Sequence, residues 1–277
     1  MSNPDYRVVW VHGISDYKAG YSMPWEAAFN TYLNFPDSDY LEVLWSSVFT
    51  GVNRISLTPE EQLAADELRK ALATTLLARA TAQLPGVSAL LGEWSTLTDK
   101  LALLPNPDDY IGEFTRYLAS RTVRNAVKEK LKEKLRPLAA SGDDISLISH
   151  SWGTVVAYES LLDLQTELPT FKLRNLFTLG SPLWMVQLLL DDRSGRKPSN
   201  TSTWVNIHAV GDLIGSWLRP GFQDDKDFAV PSFGTGNPHL SYFVAGNVAV
   251  QRDIVKATIL GPYEGSIKDT SLGGMRL

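Results

Sequence analysis

The feature that most constrains this chain is an alternation of short apolar runs with stretches of helical spacing. Tyr6-Arg7-Val8-Val9-Trp10-Val11 is apolar and β-branched and stops at His12-Gly13, which reads as a buried strand. Pro24 to Leu33 follows with Trp25, Ala28, Phe29, Tyr32 and Leu33 at helical spacing, and Tyr40 to Trp45 is a second strand. After Ser141-Gly142 the rhythm returns, with strands at Ile145 to Ser149, Lys172 to Leu179 and Trp204 to Ala209. Helices are predicted between and after them at Thr154 to Leu164, Pro182 to Leu190 and Asn247 to Leu260. Strand and helix in alternation predict an α/β fold, a mostly parallel central sheet flanked by helices.

Residues 57–140 break that rhythm and read as a helical insertion. Thr58-Pro59-Glu60-Glu61 is a helix start, with a capping hydroxyl, proline in the first turn and early acids. Leu63, Leu68, Leu72, Leu76, Ala80 and Leu84 continue it until Pro85-Gly86. A shorter helix is predicted from about Ser88 to Leu104. A third opens at Asn106-Pro107, with Ile111, Phe114, Leu118, Val127, Leu131 and Leu135 as its apolar stripe. The charged run Arg121 to Arg136 reads as a solvated face with internal ion pairs. The loop Asp191 to Thr203, being polar, and the Gly-rich tail from Gly261 read as mobile. The chain is therefore expected to be one domain, residues 1–277, with residues 57–140 as a candidate cap.

Composition narrows the classes of function. At 44% hydrophobic and 21% charged, the 277 residues are ordinary for a soluble globular protein. The absence of cysteine excludes disulfides, a thiolate nucleophile and cysteine metal sites. A net charge of −5 gives no electrostatic reason to bind nucleic acid. The first residues lack the basic start and apolar stretch of a signal peptide, and no segment offers the ~18 uninterrupted apolar residues of a membrane span. The stretch Phe228 to Gln251 reads as a loop and then a helix start. A soluble, cytoplasmic protein is expected.

The chemistry centres on Ser149-His150-Ser151-Trp152-Gly153, set between the apolar run Ile145 to Ile148 and the helix from Thr154. A serine hydroxyl becomes a nucleophile when a sharp strand-to-helix turn lifts it clear of the sheet beside a base. Such a turn needs small residues two positions either side. The pattern alone arises by chance on the order of 0.2 times in a chain this long, so the strand and helix around it decide the reading. Acyl transfer also needs two backbone donors for the developing oxyanion. The amide of Trp152, just after the nucleophile, is one. The loop His12-Gly13-Ile14 supplies the other, with the Ile14 amide chosen.

The base follows by elimination among four histidines. His12 belongs to the strand-end loop, His150 flanks the nucleophile and is expected to point away from it, and His208 lies within a strand as a core residue. His239, in the loop Gly234 to His239 before the last helix, remains. Asp212, in the turn after the strand Val205 to Ala209, is the acid. A strand-end carboxylate there can fix the imidazole tautomer. Asp224, Asp225 and Asp227 compete but read as solvated loop charges.

The chain order Ser151, Asp212, His239, together with Val11-His12-Gly13-Ile14, Ser149-x-Ser151-x-Gly153 and Gly180-Ser181-Pro182-Leu183, resembles the α/β-hydrolase superfamily in its lipase and esterase branch. The resemblance covers most of the chain outside residues 57–140. It implies a serine hydrolase acting on a small ester with an apolar acyl group, without metal or organic cofactor. Trp152, Trp184, Trp217 and the leucines of the insertion are candidates for an acyl pocket, or for ordinary core. Two departures stand out: Ser149 occupies a position where glycine is commonest, and the helical block precedes the nucleophile, whereas family caps usually follow a later strand. Thioesterase, amidase or acyltransferase chemistry would use the same triad. Two non-catalytic readings also exist, a binding protein retaining the fold and an interaction protein using an exposed leucine stripe in the insertion.

Overall fold

The computed structural model describes residues 6–14, 17–50, 54–83, 107–234 and 236–261. Six strands form one sheet: β1 (Tyr6–Val11), β2 (Tyr40–Val43), β3 (Asp144–His150), β4 (Leu173–Leu179), β5 (Thr201–Ala209) and β6 (Lys226–Val230). Their order is β2-β1-β3-β4-β5-β6, and every neighbouring pair is parallel. The helices are α1 (Met23–Leu33), α2 (Pro59–Gln83), α3 (Pro107–Ala119), α4 (Arg121–Ser141), α5 (Gly153–Glu167) and α6 (Leu183–Val186). A π-helical stretch, Ala249–Lys256, runs into the last, α7 (Ala257–Leu260). This is the α/β architecture the alternation predicts. Among the described residues no helix is long and apolar enough to cross a membrane.

Side chains alternate across the sheet, so each strand feeds two cores. Val9, Val11, Ile145, Leu147 and Leu176 face one side, where Val123, Val127, Leu131 and Leu135 of α4 and Val155 and Leu161 of α5 cover them. Val8, Trp10, Ile148, Phe177 and Ile207 face the other, against Phe29 and Leu33 of α1 and Val250 and Val255 of the π-helical stretch. Burial on both faces is why these strands read as continuous apolar runs rather than alternating ones.

The insertion is helical where described, and the expected helix 88–104 lies outside the described residues. Helix α2 starts with a reciprocal cap: Glu61 N–H donates to Thr58 Oγ1 at 3.2 Å, and Thr58 N–H to Glu61 Oε2 at 2.9 Å. Leu72 and Leu76 are buried, but Leu63 is exposed and Ala65 takes the inward position in its place. The single helix expected from residue 106 is two, because Ser120 is an N-cap whose Oγ accepts from Val123 N–H.

The charged run on α4 is the solvated, internally paired face the sequence suggests over only part of its surface, where Glu133 and Lys134 are exposed and Lys130 Nζ lies 3.4 Å from Glu133. Arg124, Lys128 and Lys132 are buried. They recur every four residues, as do Glu159, Asp163 and Glu167 on α5, so packing the helices brings the stripes together. Lys128 Nζ lies 3.0 Å from Asp163, Lys132 Nζ 2.6 Å from Glu167, and Arg124 Nη1 2.6 Å from Asp191 and 3.6 Å from Glu159. Alternating charge looks the same in sequence whether its partners sit on one helix or the next.

Other expectations also change. β6 lies where the sequence predicts loop, because its apolar content is low and two aspartates precede it. Pro182 to Leu190 yields only α6 and a 3-10 turn, Gln187–Leu189. The segment Asp191 to Thr203 is tied down: Asp191 pairs with Arg124, and Asn200 Nδ2 donates to Leu161 O at 2.9 Å.

Candidate active site

In a parallel sheet all carboxyl ends of the strands meet at one rim. Here the strand order reverses between β1 and β3, because β1 leads on to β2 on one side while β3 lies on the other. The loops leaving such neighbours diverge and open a crevice. His12-Gly13-Ile14 leaves β1 there, and Ser151 leaves β3.

Ser151 has φ +54°, and only Asn34 shares a positive φ among described non-glycine residues. That conformation costs on the order of 1–3 kcal/mol and persists only where the surroundings impose it. Here they do. Ser151 N–H donates to Leu179 O at 2.9 Å, and Thr154 returns two bonds to Ser151 O, from N–H at 3.0 Å and Oγ1 at 2.7 Å. The small neighbours are required sterically: a Cβ on Gly153 would sit 2.2 Å from His12 O, and one on Gly13 would sit 2.7 Å from Ser151 Cβ. Ser149 fits because its Oγ turns to β4 and donates to Phe177 O at 2.8 Å.

Asp212 follows β5, and its buried carboxylate accepts from His239 Nδ1 at 2.9 Å, from Tyr242 OH at 2.6 Å and from Ile214 N–H at 2.8 Å. Burial alone would raise its pKa. The His239 ring, the Tyr242 hydroxyl and the Gly215 amide outweigh that and hold it well below the ordinary carboxylate range. An ionised carboxylate only accepts, so Nδ1 of His239 carries the proton and Nε2 is left as the acceptor. His239 is on a 3-10 helix, Pro238–Phe243, rather than a free loop, and Asn237 caps it by accepting from His239 N–H at 3.0 Å. At three residues per turn His239 and Tyr242 share one side of this helix, so both reach Asp212.

Gly180 joins the halves of the site. It follows β4, beside Ser151, whose N–H bonds to the preceding residue Leu179. A Cβ on Gly180 would lie 3.0 Å from Asp212 Oδ2 and from His239 Nδ1. No hydrogen bond joins Ser151 Oγ to His239 among the described residues. Such contacts are often long without substrate and tighten on binding.

His150 turns its ring to His239. Its ring centroid lies 4.6 Å from that of His239, and its Nε2 donates to His239 O at 2.8 Å. Burial, reinforced by the neighbouring His239, lowers its pKa to about 3, so it is a neutral strut against the His239 backbone. His12 is also neutral, lowered to about 3 by burial, and is stacked on Trp45 at 4.7 Å. Its Nδ1 donates to Gly13 O at 2.5 Å. Because the peptide unit is planar, fixing Gly13 O fixes where the Ile14 N–H points. His208 is buried in β5 as expected, under the half-exposed Trp217.

The competing acids are elsewhere, and they are not simply solvated. Asp227 accepts from Asn206 Nδ2 and Leu218 N–H, each at 2.7 Å, and Asp224 is buried beside Arg219. Asp225 accepts from Trp204 N–H and pairs with Lys197. All three brace the β5–β6 edge. Among the described residues no group of three or more His, Cys, Asp or Glu is placed to hold a metal ion.

The insertion reaches the site. Phe114 of α3 stacks on Trp152 with centroids 3.5 Å apart, which makes Trp152 core rather than free pocket wall. From α2, Arg79 Nη2 donates to Gly215 O at 2.7 Å and to Asp212 O at 3.2 Å. His150, Tyr242 and Arg79 are site neighbours that the sequence reading does not single out, and the role of the His12 ring in holding Gly13 O is not visible there either. Two had a signal: Tyr242 is three residues after His239, and Arg79 is the only charged residue between Lys70 and Glu93.

No family model and no curated protein matches the chain. Among solved structures it is similar to an uncharacterized protein from Pseudomonas aeruginosa, at 14% identity and a TM-score of 0.33. That match covers 93% of this chain and 46% of the other, so the chain spans less than half the length of that neighbour.

Proposed function

We propose that this protein is a serine hydrolase of the α/β-hydrolase type that cleaves carboxylic esters through an acyl-enzyme. One observation carries the reading: Ser151 is held at positive φ at the end of β3, and a bonded His239–Asp212 pair lies on the same rim. Strain of this kind at a serine, beside an oriented imidazole, has a use in nucleophilic catalysis and none in packing.

The steps follow from the groups present. His239 Nε2 takes the Ser151 proton as Oγ bonds to the ester carbonyl carbon. The Ile14 and Trp152 amides hold the oxyanion, and neither donates to another described residue. The carbon–oxygen bond to the alcohol then breaks, and the alcohol leaves with the proton from His239. Water adds to the acyl carbon, passing its proton to His239, and the acid departs as Ser151 recovers the proton. Asp212, ionised throughout, stabilises the imidazolium in both halves. A thioester, an amide or transfer to another acceptor would use the same groups, and a scan of short and long acyl esters, thioesters and amides separates them.

The test is labelling with a fluorophosphonate probe. Wild type is expected to label and Ser151→Ala is not. Equal labelling of both would place the nucleophile elsewhere, and labelling of neither would favour a non-catalytic binding protein.

A further inference from the structure

Asp212 starts a short loop whose amides do the work of a carboxylate cradle. Ile214 N–H donates to Asp212 Oδ1 at 2.8 Å, and the Gly215 amide is a further partner of the carboxylate. Such amides face the acid only while the carbonyls of the same loop are held the other way. Three carbonyls here are held. Arg79 Nη2 takes Asp212 O at 3.2 Å and Gly215 O at 2.7 Å, and Trp184 Nε1 takes Ile214 O at 2.8 Å. The two donors brace each other, with the Arg79 guanidinium 4.6 Å over the Trp184 ring.

There is little room for the loop to reseat. A Cβ on Gly215 would meet Asp212 Oδ2 at 2.7 Å and Gly180 Cα at 2.6 Å, so the backbone of the acid loop is pressed against the strand end beside the nucleophile. Arg79 belongs to α2, 133 residues before Asp212 in the chain. Arg79 is half-buried, and its charge makes each bond to a neutral carbonyl stronger than an uncharged donor would.

We propose that Arg79, carried by the helical insertion, is a positioning residue for the catalytic acid, and that with Trp184 it sets the Asp212–Gly215 loop so that the carboxylate holds His239 in register with Ser151. The inference rests on the hydrolase reading and deepens it. It makes the insertion a structural part of the active site: α2 cannot leave without releasing the acid loop.

The experiment compares wild type, Arg79→Ala and Trp184→Phe by fluorophosphonate labelling rate, by kcat and KM on a p-nitrophenyl ester, and by melting temperature. Arg79→Ala is expected to lose about tenfold in labelling rate and in kcat, with KM little changed. Free guanidinium ion at a non-denaturing concentration should restore part of that loss, because it can refill the vacated site. Trp184→Phe keeps the ring under Arg79 and removes one bond. It should lose about threefold, and it decides the matter if the alanine variant fails to fold. Wild-type labelling rates in the variants would overturn the positioning role. So would a loss confined to KM, or one that guanidinium leaves untouched and that follows the melting temperature. A wild type that does not label overturns the hydrolase reading itself, and is thereby told apart from a failure of Arg79 alone.

Discussion

Two buried polar regions of this protein are built on opposite terms. Along the α4–α5 seam, Arg124, Lys128 and Lys132 each face acids of α5 or Asp191 at ion-pair distance. At the carboxyl rim of the sheet, Ser151 sits in a strained conformation, and Nε2 of His12 and Nδ1 of His150 are buried without a hydrogen-bond partner. A seam whose role is packing satisfies its charges, since an unpaired buried ion costs several kcal/mol. The rim carries backbone strain that packing alone would not retain, and it is also where the His239–Asp212 pair lies.

Substitutions can break or sharpen that contrast. The largest effect is expected at the rim: Asp212→Asn should lower kcat by about 10⁴-fold, by freeing the imidazole tautomer, with the fold retained. Steady-state ester hydrolysis beside a circular dichroism melt measures both, and a variant within tenfold of wild type would remove Asp212 from the mechanism. Next, Arg124→Met leaves the buried Glu159 without its cation and should cost about 3–5 kcal/mol in urea unfolding. The folded fraction should still label at the wild-type rate; slowed labelling would mean that the seam and the rim are not separate.

The neutral histidines come third. His12 and His150 stay neutral in the fold down to about pH 3, whereas the unfolded chain binds protons on them below its ordinary histidine pKa of about 6.5. The unfolded state therefore gains as pH falls through that window, and stability should drop with decreasing pH, the slope approaching about 1.4 kcal/mol per unit for each histidine as pH nears 5. Urea midpoints between pH 7 and pH 5 give the slope, which His150→Phe should reduce by one proton; an unchanged slope would show that His150 is not the group responsible. The smallest change is a gain. Ser151→Gly relieves the positive φ and should stabilise the fold by about 1 kcal/mol while abolishing labelling, so a destabilised variant would contradict the claim of strain.

How much of this was legible depended on whether the signal was local. The β1 and β3 strands, the capped start of α2 and the tight turn at Ser151 each sit within a few residues and were readable. His239 and Asp212 were reached by elimination and chain position, and the bond between them lies across 27 residues. β6 was not readable, since Lys226-Asp227-Phe228 has no apolar run, and it forms because β5 offers an unpaired edge. That the His150 ring meets His239 was not readable, because a residue at a strand end carries no sign of which neighbour its ring will touch.

From the chain alone came the parallel α/β plan and the need for small residues at 149 and 153, which follow from periodicity and turn chemistry acting over short spans, and the candidate triad, which follows from elimination and chain order. Which charges are buried, which carbonyls Arg79 and His150 hold, and how the insertion meets the acid loop were settled only in three dimensions. Those contacts join residues about 30 to 130 apart. No local pattern encodes them, because the partner of a long polar side chain is chosen by whichever surface packing brings within its reach.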